Sequence, residues 1–154
     1  MTGKHVIGLV QRVSEASVVV SGRTAAAIGN GLLVLVAVER GDAEHEADRL
    51  LERLLGFRIF EDRRGRMNLD VREAGGALLL VPQFTLAADT AKGNRPGFSG
   101  AADAEQGRAL FERLAVAAAA AGIPTGRGVF GATMQVRLCN EGPATFLLRV
   151  PPPV

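Results

Sequence analysis

The spacing of apolar residues changes repeatedly along this chain, and each change marks an element. Apolar side chains dominate from His5 to Val13 and again from Ser17 to Val20, predicting two strands joined by a short polar break. Ser21-Gly22-Arg23 supplies a turn, and Asn30-Gly31 opens the wholly apolar run Leu32 to Val38, a buried strand. Ala47, Leu50, Leu51, Leu54 and Leu55 then repeat at helical spacing, with Asp42 placed to cap the start and Gly56 to close the end. Phe57 to Phe60 reads as a strand ending in the charged turn Glu61 to Gly65. After Gly75-Gly76 comes a strand from Ala77 to Val81, continuing past Pro82 into Gln83-Phe84-Thr85-Leu86. A loop from Ala87 to about Ala102 follows, and loops of that length often carry function. A second helix starts near Asp103 with Gln106 in capping-box position, buries Leu110, Phe111 and Leu114, and ends at Gly122 before Pro124. Ala132 to Asn140 alternates as a strand should, and Glu141-Gly142-Pro143 makes a tight connection to a last strand, Ala144 to Val150. The expected class is α+β: a single domain over residues 1–150, mostly antiparallel strands and two main helices, with a proline-rich tail over residues 151–154 that cannot join a ladder.

Composition agrees with one globular domain. Of 154 residues, 47% are hydrophobic and 22% charged, and the net charge is +2, which excludes a disordered chain. No apolar run approaches the length of a membrane span, and no secretory leader precedes the first strand, so no membrane partner is expected. The pI of 9.3 exaggerates the positive field. With no Tyr, one Cys and two His, few groups titrate between neutrality and lysine, so two surplus cations drag it upward. RNA binding is allowed by this charge and not established by it. The lone Cys139 cannot form an internal disulfide, as suits a reducing cytoplasm.

The chemical inventory is sparse. His5 lies near the start and His45 in the first turn of a helix, so neither has the context of a base activating a nucleophile. Cys139 has no nearby histidine in sequence, and no H-E-x-x-H or C-x-x-C spacing points to a metal. Gly126, Gly128 and Gly131 precede a strand rather than a helix, so they make no phosphate loop. No cofactor is implied. Two segments stand out: Pro82-Gln83-Phe84-Thr85-Leu86, polar groups set in an apolar strand, and Asn140-Glu141-Gly142-Pro143-Ala144-Thr145, by itself a hairpin turn.

Together these segments resemble the two signatures of the D-aminoacyl-tRNA deacylase family, S-Q-F-T-L and N-x-G-P-x-T. The match is collinear over nearly the whole chain, through Gln11-Arg12-Val13, Gly31 to Glu39, Arg58-Ile59-Phe60, Met67-Asn68-Leu69, Ala87-Ala88-Asp89-Thr90 and Arg95-Pro96. The resemblance implies a homodimer with a barrel-like, largely antiparallel sheet flanked by helices. It would hydrolyse the ester between a D-amino acid and the 3′ acceptor end of tRNA, and accept glycyl-tRNA too. It also implies that Gly142-Pro143 is a cis pair reaching into the other subunit's site to exclude L side chains, with Arg12 bracing it across the interface. Gln83, Phe84, Thr85 and Thr145 then fall at the catalytic centre, with oxyanion stabilisation by main chain near Phe84-Thr85 and help from the ribose 2′-hydroxyl. Asn140, Met134, Lys92 and Arg95 fall on the substrate-binding side. Two positions depart from the family: Pro82 replaces the signature serine, removing a hydroxyl and a backbone donor, and Gly97 stands in place of serine in R-P-S-F. The Pro82 departure admits an alternative, a catalytically impaired dimer that only grips the tRNA acceptor end, and a purely structural dimer without RNA is a further rival.

Overall fold

A computed structural model describes residues 5–41 and 44–151. Eight strands and two helices follow one another as β1 (Val6–Val20), β2 (Arg23–Ile28), β3 (Gly31–Val38), α1 (Glu44–Gly56), β4 (Phe60–Glu61), β5 (Met67–Leu69), β6 (Ala77–Pro82), α2 (Ala104–Ala120), β7 (Thr125–Arg127) and β8 (Gln135–Val150). The main sheet runs β2-β1-β3-β6-β7, with β8 on the other edge of β1, and β4 and β5 form a separate hairpin. All pairings through β1 are antiparallel, whereas β3–β6 and β6–β7 are parallel. The sheet curls until β7 meets β2, where a Cβ at Gly126 would lie 3.2 Å from Ala26 Cβ. The result is one domain with a nearly closed barrel and two helices, the α+β arrangement expected.

Alternation along the strands divides the side chains between two faces. Val6, Val10, Leu32, Val34, Leu78, Leu80, Leu148 and Val150 face α1 and α2, whose Leu50, Leu54, Phe111 and Leu114 complete the largest core cluster. Val13, Val18, Leu33, Leu79 and Val81 fill the barrel end. The five predicted apolar positions of α1 are all buried. Asp103 caps α2 through its own carboxylate, which accepts from the Gln106 N–H at 2.8 Å. The helices are joined at the surface by Arg113, which donates from Nε and Nη2 to both Asp48 carboxylate oxygens at 2.8 Å. No helix among the described residues is long and apolar enough to cross a membrane.

Several boundaries differ from the sequence expectation, each for a local reason. β1 is one strand, not two. The polar pair Ser14-Glu15 is exposed but stays in the ladder, absorbed by shifts of register opposite Asn140 and Cys139. The Ser21-Gly22 turn has positive φ at both positions (49° and 77°), the type I′ geometry that feeds directly into β2. Gly56 ends α1 as its last residue without the left-handed φ of a closing glycine. Residues 57–59 leave the sheet: Phe57 stands edge-on to Phe146, and the Ile59 carbonyl accepts from Arg12 instead of a ladder partner. Asp42 and the tail residues 152–154 lie outside the described residues.

At Gly31 the parallel β3–β6 pair leaves no room for a side chain, since a Cβ there would sit 2.0 Å from the Ala77 carbonyl oxygen. Gly31→Ala should therefore lower unfolding stability by about 3 kcal/mol or more. Gly29→Ala, with nothing within 4 Å, should change it by no more than about 0.5 kcal/mol, both read from urea midpoints. The hydrogen bonds from Arg113 hold the Asp48 carboxyl below its ordinary value. The stability this gives is present above that ordinary value and lost as pH falls through the lowered one. Asp48→Asn should flatten that acid limb in pH-dependent denaturation, and by little, because the pair is exposed.

Candidate active site

The first signature segment turns out of the sheet. β6 ends at Pro82 opposite Val36, and the Gln83 N–H makes a last bond to the Val36 carbonyl at 2.7 Å. Phe84–Ala87 then forms a 3₁₀ turn, not the continued strand expected from alternation. The ladder to β3 reaches past Pro82 through that bond and stops, and the Leu86 N–H bonds back to the Gln83 carbonyl. The Gln83 amide donates to Thr85 Oγ1 at 2.6 Å. Phe84 is 59% exposed and leans on Phe98, their centroids 5.3 Å apart.

A cavity of about 570 Å³ opens at this point between the ends of β3 and β6, the start of α2 and the loop before β8. Gln83, Phe84 and Met134 line it, so the fold brings three of the sequence candidates together. Pro82 also lines it, and the wall there is tight: a Cβ at Gly128 would lie 2.8 Å from Met134 Sδ and 3.2 Å from Pro82 Cδ. Asp103 is the one ionisable side chain in the lining, and its carboxylate is engaged in capping α2. Among the described residues the lining holds no histidine, cysteine or lysine to form a nucleophile–base pair. Phe130 and Phe98 were missed from sequence. Phe130 lines the cavity and is the one aromatic residue of a glycine-rich loop, a signal that could have found it.

The loop beyond the 3₁₀ turn is ordered by its own main chain. Asp89 and Gly97 exchange two hydrogen bonds at 2.7 and 3.0 Å, and the Asp89 carboxylate accepts from the Ala91 N–H. Lys92 and Arg95 are exposed on the span so closed. They stand apart from the cavity lining.

The second signature segment is not a turn between strands, as expected from Gly142-Pro143. β8 is a single strand that bulges. Gln135 to Asn140 pair with Val19 to Val13, Thr145 to Val150 pair with Gln11 to Val6, and residues 141–144 all lie opposite Arg12 alone. The bulge keeps its shape through two side chains. Arg12, 9% exposed, donates from Nε and Nη2 to the Glu141 carbonyl at 3.1 and 2.9 Å, and from Nη1 to the Ile59 carbonyl at 2.6 Å. The Asn140 amide donates to the carbonyls of Arg12 and Ala144 at 3.0 and 3.3 Å. Arg12 was expected to brace the corner across an interface. It braces the corner of its own chain, because the ladder sets it directly opposite.

At the bulge tip Gly142 and Pro143 are exposed and their peptide bond is cis. A Cβ at Gly142 would lie 2.8 Å from the Asn140 amide oxygen. Thr145 is exposed, and its hydroxyl accepts from the Gln11 amide at 3.2 Å. None of residues 140–145 lines the cavity. Within one chain the two signature segments stay separate.

Residues 9–149 match the family described as D-Tyr-tRNA(Tyr) deacylase. A D-aminoacyl-tRNA deacylase of Thioalkalivibrio sulfidiphilus is 58% identical over 147 residues, 96% of this chain and 99% of its own length. Another, of Methylococcus capsulatus, is 59% identical over 146 residues and 95% of each chain. Among solved structures, the c-Myc DNA unwinding element binding protein superposes with a TM-score of 0.85 at 34% identity, over 94% of this chain and 97% of that one.

Arg12→Lys keeps the charge but loses the fork that reaches two carbonyls. It should cost about 1–3 kcal/mol of stability, measured by urea denaturation, and speed amide hydrogen exchange in residues 141–145 more than in β3.

Proposed function

The chain belongs to the D-Tyr-tRNA(Tyr) deacylase family, and we propose that it cleaves the ester of D-aminoacyl-tRNA as a homodimer, with the RNA supplying part of the catalysis. The observation that carries the mechanism is a cavity without a nucleophile–base pair: among the described residues its one carboxylate caps a helix through Oδ1, and its other lining groups are amide, hydroxyl, thioether, main chain or hydrocarbon. An aminoacyl ester is already activated, so a site of this kind works by holding it and stabilising the developing oxyanion. The first N–H groups of the 3₁₀ turn, at Phe84 and Thr85, have no acceptor within that turn and are the donors assigned to this role. The neighbouring ribose 2′-hydroxyl orients the attacking water. Gln83 and Met134 contact the acceptor end, and Lys92 and Arg95 hold phosphates beyond it.

Selectivity is assigned to Gly142-Pro143 of one protomer entering the cavity of the other, where main chain occupies the space an L side chain needs. Glycyl-tRNA, lacking that side chain, passes the same filter. Two features support a second copy. The tip is exposed and lies outside its own chain's cavity. On the sheet face away from the helices, Leu147, Leu9 and Leu35 also form one apolar row, with Leu147 52% exposed. Asn140 is assigned to shaping this tip rather than to gripping substrate, since its amide is engaged by two carbonyls. The substrate places the enzyme with tRNA in the cytoplasm.

Purified protein should release D-tyrosine from D-tyrosyl-tRNA and leave L-tyrosyl-tRNA intact. Both esters surviving would mean a binder impaired at Pro82, and equal cleavage of both would end the filter assignment. Thr145→Ala should retain deacylation within about tenfold of the parent, because no base is present to make that hydroxyl a nucleophile. Complete loss in a folded variant would restore the nucleophile.

A further inference from the structure

The β4–β5 hairpin carries the charged turn read from sequence, and its construction gives that turn a sharper character. Arg63, Arg64 and Arg66 are all exposed at its tip. No hydrogen bond or ion pair from their guanidinium groups occurs among the described residues. The carboxylate of Asp62 faces the main chain instead: Oδ1 accepts from the N–H groups of Arg64 and Arg66 at 2.8 and 3.1 Å, and Oδ2 from the Asn68 amide at 3.3 Å. Those backbone hydrogen bonds hold its carboxyl below the ordinary value. The tip is closed by the Asp62 N–H to the Arg66 carbonyl at 2.9 Å and by Gly65 at φ 74°. Three arginines are thus presented on a short, internally ordered loop.

The place of this loop matters as much as its charge. Arg12 bonds the Ile59 carbonyl, at the root of the hairpin, and the Glu141 carbonyl, at the root of the Gly142-Pro143 tip. One side chain therefore fixes hairpin and tip relative to each other. A cleft of about 600 Å³ lies between them, lined by Phe60, Glu61 and Leu69 from the hairpin side, by Glu141 and Glu73, and by Arg12 itself. Its three carboxylates outnumber its one guanidinium, Arg12, whose donors are engaged by carbonyls, so the arginine tip is the surface a phosphate backbone can meet.

We propose that the Arg63-Arg64-Arg66 hairpin is an RNA grip that acts in trans, holding the phosphates of a tRNA whose 3′ end lies in the partner protomer's cavity. The inference rests on the cross-subunit placement of Gly142-Pro143 given above, because Arg12 ties the root of the hairpin to the root of that tip. Arginine forks match phosphate oxygens, and the substrate brings a dense row of them past this mouth. The two protomers then divide the work: one contains the ester, and the other filters its chirality and steadies the stem.

The test uses the full-length protein with two triple variants, R63A/R64A/R66A and R63K/R64K/R66K, first matched to the parent in urea midpoint and sedimentation. Binding of uncharged tRNA is titrated against KCl, and deacylation is measured on D-tyrosyl-tRNA and on the D-tyrosyl ester of adenosine. In the alanine variant the slope of log K against log salt should shrink by about 2–3 units. The ratio of kcat/KM for tRNA over adenosine ester should fall by about tenfold or more, while the lysine variant keeps most of both. An unchanged slope in the alanine variant, or a lysine variant as weak as the alanine one, overturns the grip. The earlier reading is judged separately, by the parent alone: a parent that sediments as a monomer or leaves the adenosine ester intact defeats the cross-subunit mechanism, whatever the slopes show.

Discussion

A single buried guanidinium governs the geometry of the functional half of this protein. Arg12 occupies the one ladder position that faces four residues of β8, and it satisfies the Glu141 carbonyl that this mismatch leaves without a ladder partner together with the Ile59 carbonyl, which lies outside the sheet. Buried carbonyls of that kind cost free energy unless a donor reaches them. An arginine reaches two at once with a rigid fork, where a lysine would offer one flexible point. Three parts of the chain, far apart in sequence, meet at this one group: the end of the loop after α1, the bulge of β8 and the middle of β1.

Much of this was legible in the sequence, and the limits have physical causes. The α1 stripe and the apolar runs of β3 and β6 read directly, because burial on one face leaves a period that single residues cannot hide. The bulge did not. Asn-Glu-Gly-Pro-Ala-Thr has turn composition, and whether a turn sequence reverses a chain or bulges within a strand depends on which residue lies opposite. Here that residue is Arg12, 129 positions from Glu141. Gln83 to Leu86 misled for a related reason: its alternation fits a strand, but β3 pairing ends with the Gln83 N–H and the chain coils into a 3₁₀ turn. Of the candidate site, Gln83, Phe84 and Met134 converge on one cavity, whereas Thr145 and Gly142 lie elsewhere in the chain.

The cavity also separates two kinds of contribution to the proposed reaction. What the chain provides is shape and fixed dipoles, held by a parallel strand pair too close for a side chain at Gly31 and by a helix capped by the cavity's one carboxylate. What its lining lacks, among the described residues, is a nucleophile–base pair, which is why the proposal draws reactivity from the ester and its ribose. Such a site tolerates replacement of a hydroxyl by a proline ring in its wall more readily than a triad enzyme would tolerate losing a member. The proline is accommodated because Gly128 leaves the space beside it open.

Gly142 leaves a void that the Asn140 amide oxygen nearly fills, at 2.8 Å from where a β-carbon would stand. The same amide stitches the neck of the bulge to Arg12 and Ala144. Any larger residue would push against the stitch itself, so the tip cannot be remodelled gradually while its base stays intact. An evolutionary path to a differently shaped tip would have to exchange the asparagine and the glycine together, and the intermediate with only one of them replaced would stand on a loosened neck.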